Sequence, residues 1–196
     1  MNSYIELRDP PPKRRARCDG EKECYLSEAA VMIAFALHLL ENGATTVELH
    51  PDGEHAKRHD VKGTLESQGF TLVSGLGSTK YGGIYQRDHQ TLVVKPQSGL
   101  GDVVASVGGR VVVAECKGGV VNTRHAGQVS KLRRGLSEAV GLLMTRSVGD
   151  ERQVAVVPAT STTERIANRM LPRALAAGIE IALVDERGRV RFMDCP

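Results

Sequence analysis

Two carboxylates and a lysine lie at the ends of two strands that the sequence predicts to pair as a hairpin. Gly108-Gly109 separates two valine-rich runs, and glycine tolerates the positive φ angles of a two-residue turn. If these glycines form the whole turn, Asp102 lies opposite Glu115, with the two Cβ atoms about 5 Å apart. Lys117 then projects from the same face as Glu115, because side chains alternate along a strand. Carboxylates this close repel each other unless a proton or a cation lies between them, so the pattern predicts a site for Mg²⁺ or Mn²⁺ and a phosphate.

These residues, an aspartate followed after a gap by Glu115-Cys116-Lys117, resemble the catalytic signature of the PD-(D/E)xK nuclease superfamily. The pattern looks most like those of archaeal Holliday-junction resolvases and Mrr-type restriction endonuclease domains, although Gly101 stands where many such motifs have proline. The resemblance implies a Mg²⁺-dependent endonuclease that hydrolyses phosphodiester bonds in DNA for repair, recombination or defence. Asp102, Glu115 and the Cys116 backbone carbonyl would then be metal ligands. Lys117 would orient the nucleophile and offset developing charge.

The resemblance covers residues 54 to 158 and implies two further site residues. A helix glutamate often supplies an additional metal ligand in the family, and Glu54 is the candidate here. Gln128 lies where related nucleases often place a helix glutamine near the active site, in a helix predicted over residues 124–144. The apolar residues of this helix recur at intervals of three and four, which indicates one core-facing stripe. Gln128 is therefore a catalytic candidate and Glu54 a candidate metal ligand.

The alternation of predicted helices and strands indicates an α/β fold. The strands of the hairpin carry apolar residues on both faces, which is typical of a sheet covered on both sides. We predict a restriction-endonuclease-like mixed central β-sheet flanked by helices on both faces, forming a single domain over residues 25–196. Residues 1–24 are predicted to be a basic, flexible amino-terminal arm, because Pro10-Pro11-Pro12 cannot continue a helix.

The composition limits how this chain would bind nucleic acid. The net charge of the 196 residues is only +3, so any basic footprint must be local. With four tyrosines, three phenylalanines and no tryptophan, contacts with the nucleic-acid backbone are favoured over base stacking. The candidate nucleic-acid-binding residues lie in the arm, in the glycine-rich loop 75–83 and on helix 124–144: Lys13, Arg14, Arg15, Lys80, Arg124, Lys131 and Arg134. An ordinary solvated surface is the alternative interpretation of each.

A helix predicted over residues 26–41 is apolar nearly all round, from Ala29 to Leu40. This stretch is too short to span a bilayer, which needs about 20 residues. We expect it in the core or in the interface of a homodimer, whose twofold axis would present one active site to each strand of a duplex.

The amino terminus lacks an apolar signal segment, which predicts a cytoplasmic protein with its cysteines as thiols. Cys18 and Cys24 are also spaced more widely than in the usual zinc knuckle.

Two other functions fit the same fold. One is a non-catalytic nucleic-acid-binding subunit, and the other is an effector that cuts only after a protein partner delivers the target. A pure binding subunit has no need of opposed carboxylates, so the intact triplet of Asp102, Glu115 and Lys117 favours catalysis. The expected partners are DNA, a second copy of the chain and, for the effector, a targeting protein; no membrane is expected.

Overall fold

The computed structural model describes residues 4–51, 59–147 and 149–194, so the candidate ligand Glu54 lies outside the described residues. The helices are α1 (Pro12–Arg15), α2 (Glu28–Glu41), α3 (Val61–Ser67), α4 (Ala126–Met144) and α5 (Ser161–Ala176). The strands are β1 (Ile5–Arg8), β2 (Glu23–Leu26), β3 (Thr46–Leu49), β4 (Thr71–Gly75), β5 (Gly83–Arg87), β6 (Gln90–Val94), β7 (Val103–Val107), β8 (Arg110–Cys116), β9 (Gly119–Val120), β10 (Arg152–Pro158), β11 (Ile179–Val184) and β12 (Val190–Phe192).

Nine of these strands form one mixed sheet in the order β12-β11-β10-β8-β7-β3-β6-β5-β4. Strands β8, β10 and β11 are parallel, and the crossovers between them are α4 and α5. Strand β7 is antiparallel to both of its neighbours, β8 and β3. The predicted α/β class with a mixed central sheet is therefore confirmed.

The β7–β8 hairpin has the predicted register. Val103 pairs with Ala114 and Val107 pairs with Arg110, so Gly108 and Gly109 form the whole turn. Both glycines have positive φ angles, of 58° and 81°. The two-residue turn therefore aligns Asp102, just before β7, with Glu115 near the end of β8.

Helices cover both faces of the sheet, as predicted. Helix α2 packs on the face that carries Val103, Val112 and Cys116, whereas α4 and α5 pack on the face that carries Ala155 and Val157. Most of α2 is buried around its whole circumference by the sheet and by neighbouring elements of the same chain. Helix α2 therefore belongs to the core and does not offer its apolar surface as the interface of the predicted homodimer. No helix among the described residues is long and apolar enough to cross a bilayer.

The amino-terminal segment is more structured than the sequence indicated. Strand β2 pairs with both β1 and β9 in a separate three-stranded sheet, in the segment where a flexible arm was predicted. Helix α1 begins at Pro12, because a proline is accommodated in the first helical turn, where its missing N–H would have no partner. Helix α5 begins with a capping box in which Thr160 and Thr163 form the reciprocal bonds.

A candidate metal and phosphate site

Asp102 is held between three strands at the start of β7. Its backbone N–H donates to the Ala114 carbonyl at 2.9 Å, and its carbonyl accepts from the His50 N–H at 2.9 Å. The carboxylate oxygen Oδ2 accepts a hydrogen bond of 2.7 Å from the Cys116 N–H. The backbone of β3 and β8 thus fixes both the position and the orientation of this carboxylate.

Glu115 lies on the same face of the sheet as Asp102. Val104 pairs with Val113, and Asp102 and Glu115 each lie two residues farther along, so both side chains point toward the α4 layer. The Glu115 side chain is only 14% exposed. Burial, followed by the negative charge of Asp102, raises the pKa of Glu115 from 4.5 to about 7. The folded protein therefore disfavours the charged form of Glu115, mainly through burial and further through the neighbouring Asp102.

Lys117 stands beside the two carboxylates, between α2 and α4. Its ammonium is 3.3 Å from Glu28 Oε1 and 3.5 Å from Glu138 Oε1, and its backbone N–H donates to the Val156 carbonyl at 2.9 Å. Burial alone would lower the pKa of Lys117, but the negative charges of Glu28, Asp102 and Glu138 raise it above its usual value. Lys117 is therefore a protonated cation that the surrounding structure holds in position.

Glu28 belongs to this cluster, although the sequence analysis did not select it. It occupies the first turn of α2, whose amino end is capped by the Ser27 hydroxyl accepting from the Ala30 N–H at 3.1 Å. The amino end of α2 comes so close to the end of β8 that a Cβ on Gly118 would lie 2.5 Å from Glu28 N. In the sequence, Glu28 is recognisable only as a single acidic residue at the start of an otherwise apolar helix. It lies 89 positions from Lys117, so its contact with the lysine could not be inferred from residue spacing.

Helix α4 closes the site from one side. A Cβ on Gly135 would lie 3.2 Å from Lys117 Cβ, which places the lysine stem directly against the helix. The candidate Gln128 is buried on the same helix, seven residues and therefore about 10 Å along the axis before Gly135. Gln128 thus lies on the helix that lines the site, but about two turns from the point where this helix contacts Lys117.

Arg146 follows the carboxyl end of α4 and reaches back to Glu115. Its Nη2 atom lies 3.6 Å from Glu115 Oε1, and the two side chains are 17% and 14% exposed. A Cβ on Gly101 would lie only 2.7 Å from the Val113 side chain and 3.0 Å from the Ala114 carbonyl oxygen, whereas its distance of 3.5 Å from Arg146 Nη2 is an ordinary contact. Packing against β8 therefore favours the glycine that stands in place of the motif's proline.

The candidate nucleic-acid-binding residues fall into two groups. Arg14 donates to the buried Glu23 at 3.1 Å, and Arg124 pairs with Asp19 at 2.6 Å on the surface, so each guanidinium has an acidic partner within the chain. The remaining candidates are exposed on the surface: Lys13, Arg15, Lys80, Lys131 and Arg134.

The described residues hold no larger cluster of metal-ligating side chains than the pair of carboxylates at the site. Cys18, Cys24 and Cys116 are free thiols. Within the described ranges, no group of three or more histidine, cysteine, aspartate and glutamate side chains is arranged to hold a metal ion. Comparison of the chain with protein-family models, curated proteins and solved structures finds no match. The case for a function therefore depends on the geometry of the site and on the motif.

Proposed function

We propose that this protein is a metal-dependent nuclease that hydrolyses phosphodiester bonds in DNA. The observation that carries the proposal is the register that brings Asp102 and Glu115 to one face of the sheet, where burial and then the charge of Asp102 raise the pKa of Glu115 to about 7. The proposal also draws on the resemblance of these residues and Lys117 to the PD-(D/E)xK signature. Keeping two acidic groups together costs stability, and a fold that retains them is consistent with a cation-dependent function.

The residues present fit a hard divalent cation such as Mg²⁺ or Mn²⁺. Such ions are commonly held by one or two carboxylates and complete their shells with water and substrate phosphate oxygens, so a third protein carboxylate is not required. Asp102 and Glu115 would hold the ion, with the Cys116 carbonyl as an additional ligand. Glu28 contacts Lys117 and would take the place of the helix glutamate that the resemblance implies. A bound divalent cation there would activate water and stabilise charge on the phosphoryl group.

The chain's own side chains supply the remaining parts of the mechanism. The Cys116 N–H orients the Asp102 carboxylate through Oδ2. Lys117 remains charged because Glu28 and Asp102 hold its pKa high, so it acts as an electrostatic stabiliser of the phosphoryl oxygens and as a guide for the nucleophile, not as a general base. Helix α4 packs at Gly135 against the Lys117 stem and shields it from water, which strengthens these interactions.

One observation favours a second candidate, a nuclease-like subunit that depends on a protein partner. Helices α4 and α5 border a cavity of about 520 Å³, whose apolar wall includes Met144 and Met170. Arg169 and Arg173 also line it, and neither makes an ion pair within the described residues. An adaptable apolar surface with two unneutralised arginines suits an acidic, partly apolar protein segment.

A cleavage assay tests the proposed function. Plasmid, linear, single-stranded and branched DNA should be incubated with Mg²⁺ or Mn²⁺ and, in parallel, with EDTA. We expect metal-dependent cleavage that falls by about 100-fold or more in Asp102→Asn, Glu115→Gln and Lys117→Met. Glu180→Gln is the matched control, because it removes a carboxylate of the same sheet that pairs with Arg152 and lies outside the site. Cleavage that survives both carboxylate substitutions would refute the assignment.

The two candidates differ in their need for a partner. A nuclease that acts alone cleaves as the purified chain, whereas a partner-dependent subunit binds DNA without cutting it. The predicted homodimer is tested separately by light scattering at micromolar concentration, with and without DNA.

A further inference from the structure

The contact between Arg146 and Glu115 is loose in comparison with another arginine pair of the same sheet. Arg152 donates two hydrogen bonds, of 2.8 and 2.9 Å, to the two carboxylate oxygens of Glu180 in a bidentate arrangement. Arg146 instead approaches Glu115 through one nitrogen at 3.6 Å, which is too long for a hydrogen bond. Its Nε atom is buried and has no hydrogen-bond partner among the described residues. Charge, and not directional bonding, therefore holds Arg146 at Glu115.

In the metal-free protein, Arg146 places a positive charge beside the Glu115 carboxylate. Four carboxylates, those of Glu28, Asp102, Glu115 and Glu138, surround the site, whereas Lys117 and Arg146 bring two cations. Lys117 contacts Glu28 and Glu138, so Arg146 is the cation in contact with Glu115. A divalent ion bound at Asp102 and Glu115 would take over this role.

There is room for the guanidinium to leave. Arg146 borders a cavity of about 340 Å³, which is also lined by Arg110, Glu151 and Arg152. The Glu151 carboxylate in this wall offers an alternative acidic neighbour for a displaced guanidinium. Movement of one side chain within this space would not require the sheet or α4 to shift.

We propose that Arg146 is a positioning residue that serves as the internal counter-ion of Glu115 and gives way when a divalent cation binds. This inference rests on the proposed function, because it assigns Arg146 a role in loading the same metal site. It differs from a fixed structural salt bridge in one respect: the arginine and the metal compete for one carboxylate, so removing the arginine charge strengthens metal binding.

Calorimetric titration with Mn²⁺ alone, without DNA, tests the competition. At about pH 8, Arg146→Gln should bind Mn²⁺ about tenfold or more tightly than the unsubstituted protein, because a unit charge next to a divalent ion is removed. Arg146→Lys keeps the charge and should stay within about threefold of the unsubstituted affinity. Arg152→Gln is the matched control, since it removes an arginine charge from the same cavity without touching Glu115, and it should also change the affinity less than threefold.

The same variants without metal give a second measurement. Arg146→Gln should lower the midpoint of thermal unfolding, and this loss should disappear when Glu115→Gln is already present, because the counter-ion then has no charge to neutralise. Unchanged or weaker Mn²⁺ binding in Arg146→Gln, with binding still dependent on Glu115, would overturn the competition alone. Absence of Mn²⁺ binding in every variant would overturn both the competition and the proposed metal-dependent function.

Discussion

Replacing Glu115 with glutamine should make the metal-free protein more stable above neutral pH. Burial and the charge of Asp102 raise the pKa of Glu115 from 4.5 to about 7. Each pKa unit corresponds to about 1.4 kcal/mol, so ionising this carboxyl costs about 3 kcal/mol more in the folded protein than in the unfolded chain. Little of this is lost to solvent screening, because the side chain is only 14% exposed. Glutamine has nearly the same shape and cannot ionise.

The sign of the effect sets the pH window. A carboxyl with a raised folded pKa binds more protons in the folded state, so its contribution to stability falls as pH rises from about 4.5 to about 7. The free energy of unfolding of Glu115→Gln should therefore match that of the unsubstituted protein near pH 4.5. Above about pH 7.5 the variant should be more stable by about 3 kcal/mol.

Urea denaturation in EDTA across this pH range measures the difference directly. Glu180→Gln should reduce stability through loss of its pair with Arg152, while keeping the pH dependence that Glu115 causes. Adding Mn²⁺ at high pH should stabilise the unsubstituted protein and have less effect on Glu115→Gln. A variant that is less stable than the unsubstituted protein at high pH, or a difference that does not change with pH, would refute the electrostatic reasoning.

Four further substitutions test how the site is positioned. Gly101→Ala should lower the free energy of unfolding by about 1–3 kcal/mol in chemical denaturation, because its Cβ would overlap the Val113 side chain; unchanged stability would contradict this packing. Gly135→Ala should keep the free energy of unfolding within about 1 kcal/mol but reduce DNA cleavage by crowding Lys117, so full activity would argue against a role for the lysine position. Ser27→Ala should cost about 1 kcal/mol by removing the cap of α2, as measured by thermal unfolding. Glu28→Gln should reduce the rate of cleavage while the fold remains intact by circular dichroism, and an unchanged rate would remove Glu28 from the site.

Local chemistry in the sequence determined the hairpin and the residues at its end. The Gly108-Gly109 turn fixes the register, and the alternation of side chains then places Asp102 and Glu115 on one face. The apolar period likewise predicted the long helix α4, which begins and ends within two residues of the predicted bounds. These features depend on neighbours in the chain, so turn geometry and residue spacing are sufficient to infer them.

Long-range packing decided the rest of the site. The sequence left open whether α2 lies in the core or in an interface, because an apolar helix is equally suited to either; the broad sheet of the same chain covers it. Packing of α2 against that sheet brings Glu28 to Lys117, and the end of α4 brings Arg146 to Glu115. Neither contact can be inferred from the spacing of residues in the sequence, because the distance between two residues in space depends on how whole helices and strands pack together. The sequence by itself thus determined the two carboxylates and their lysine, and only the tertiary structure determined which charges surround them.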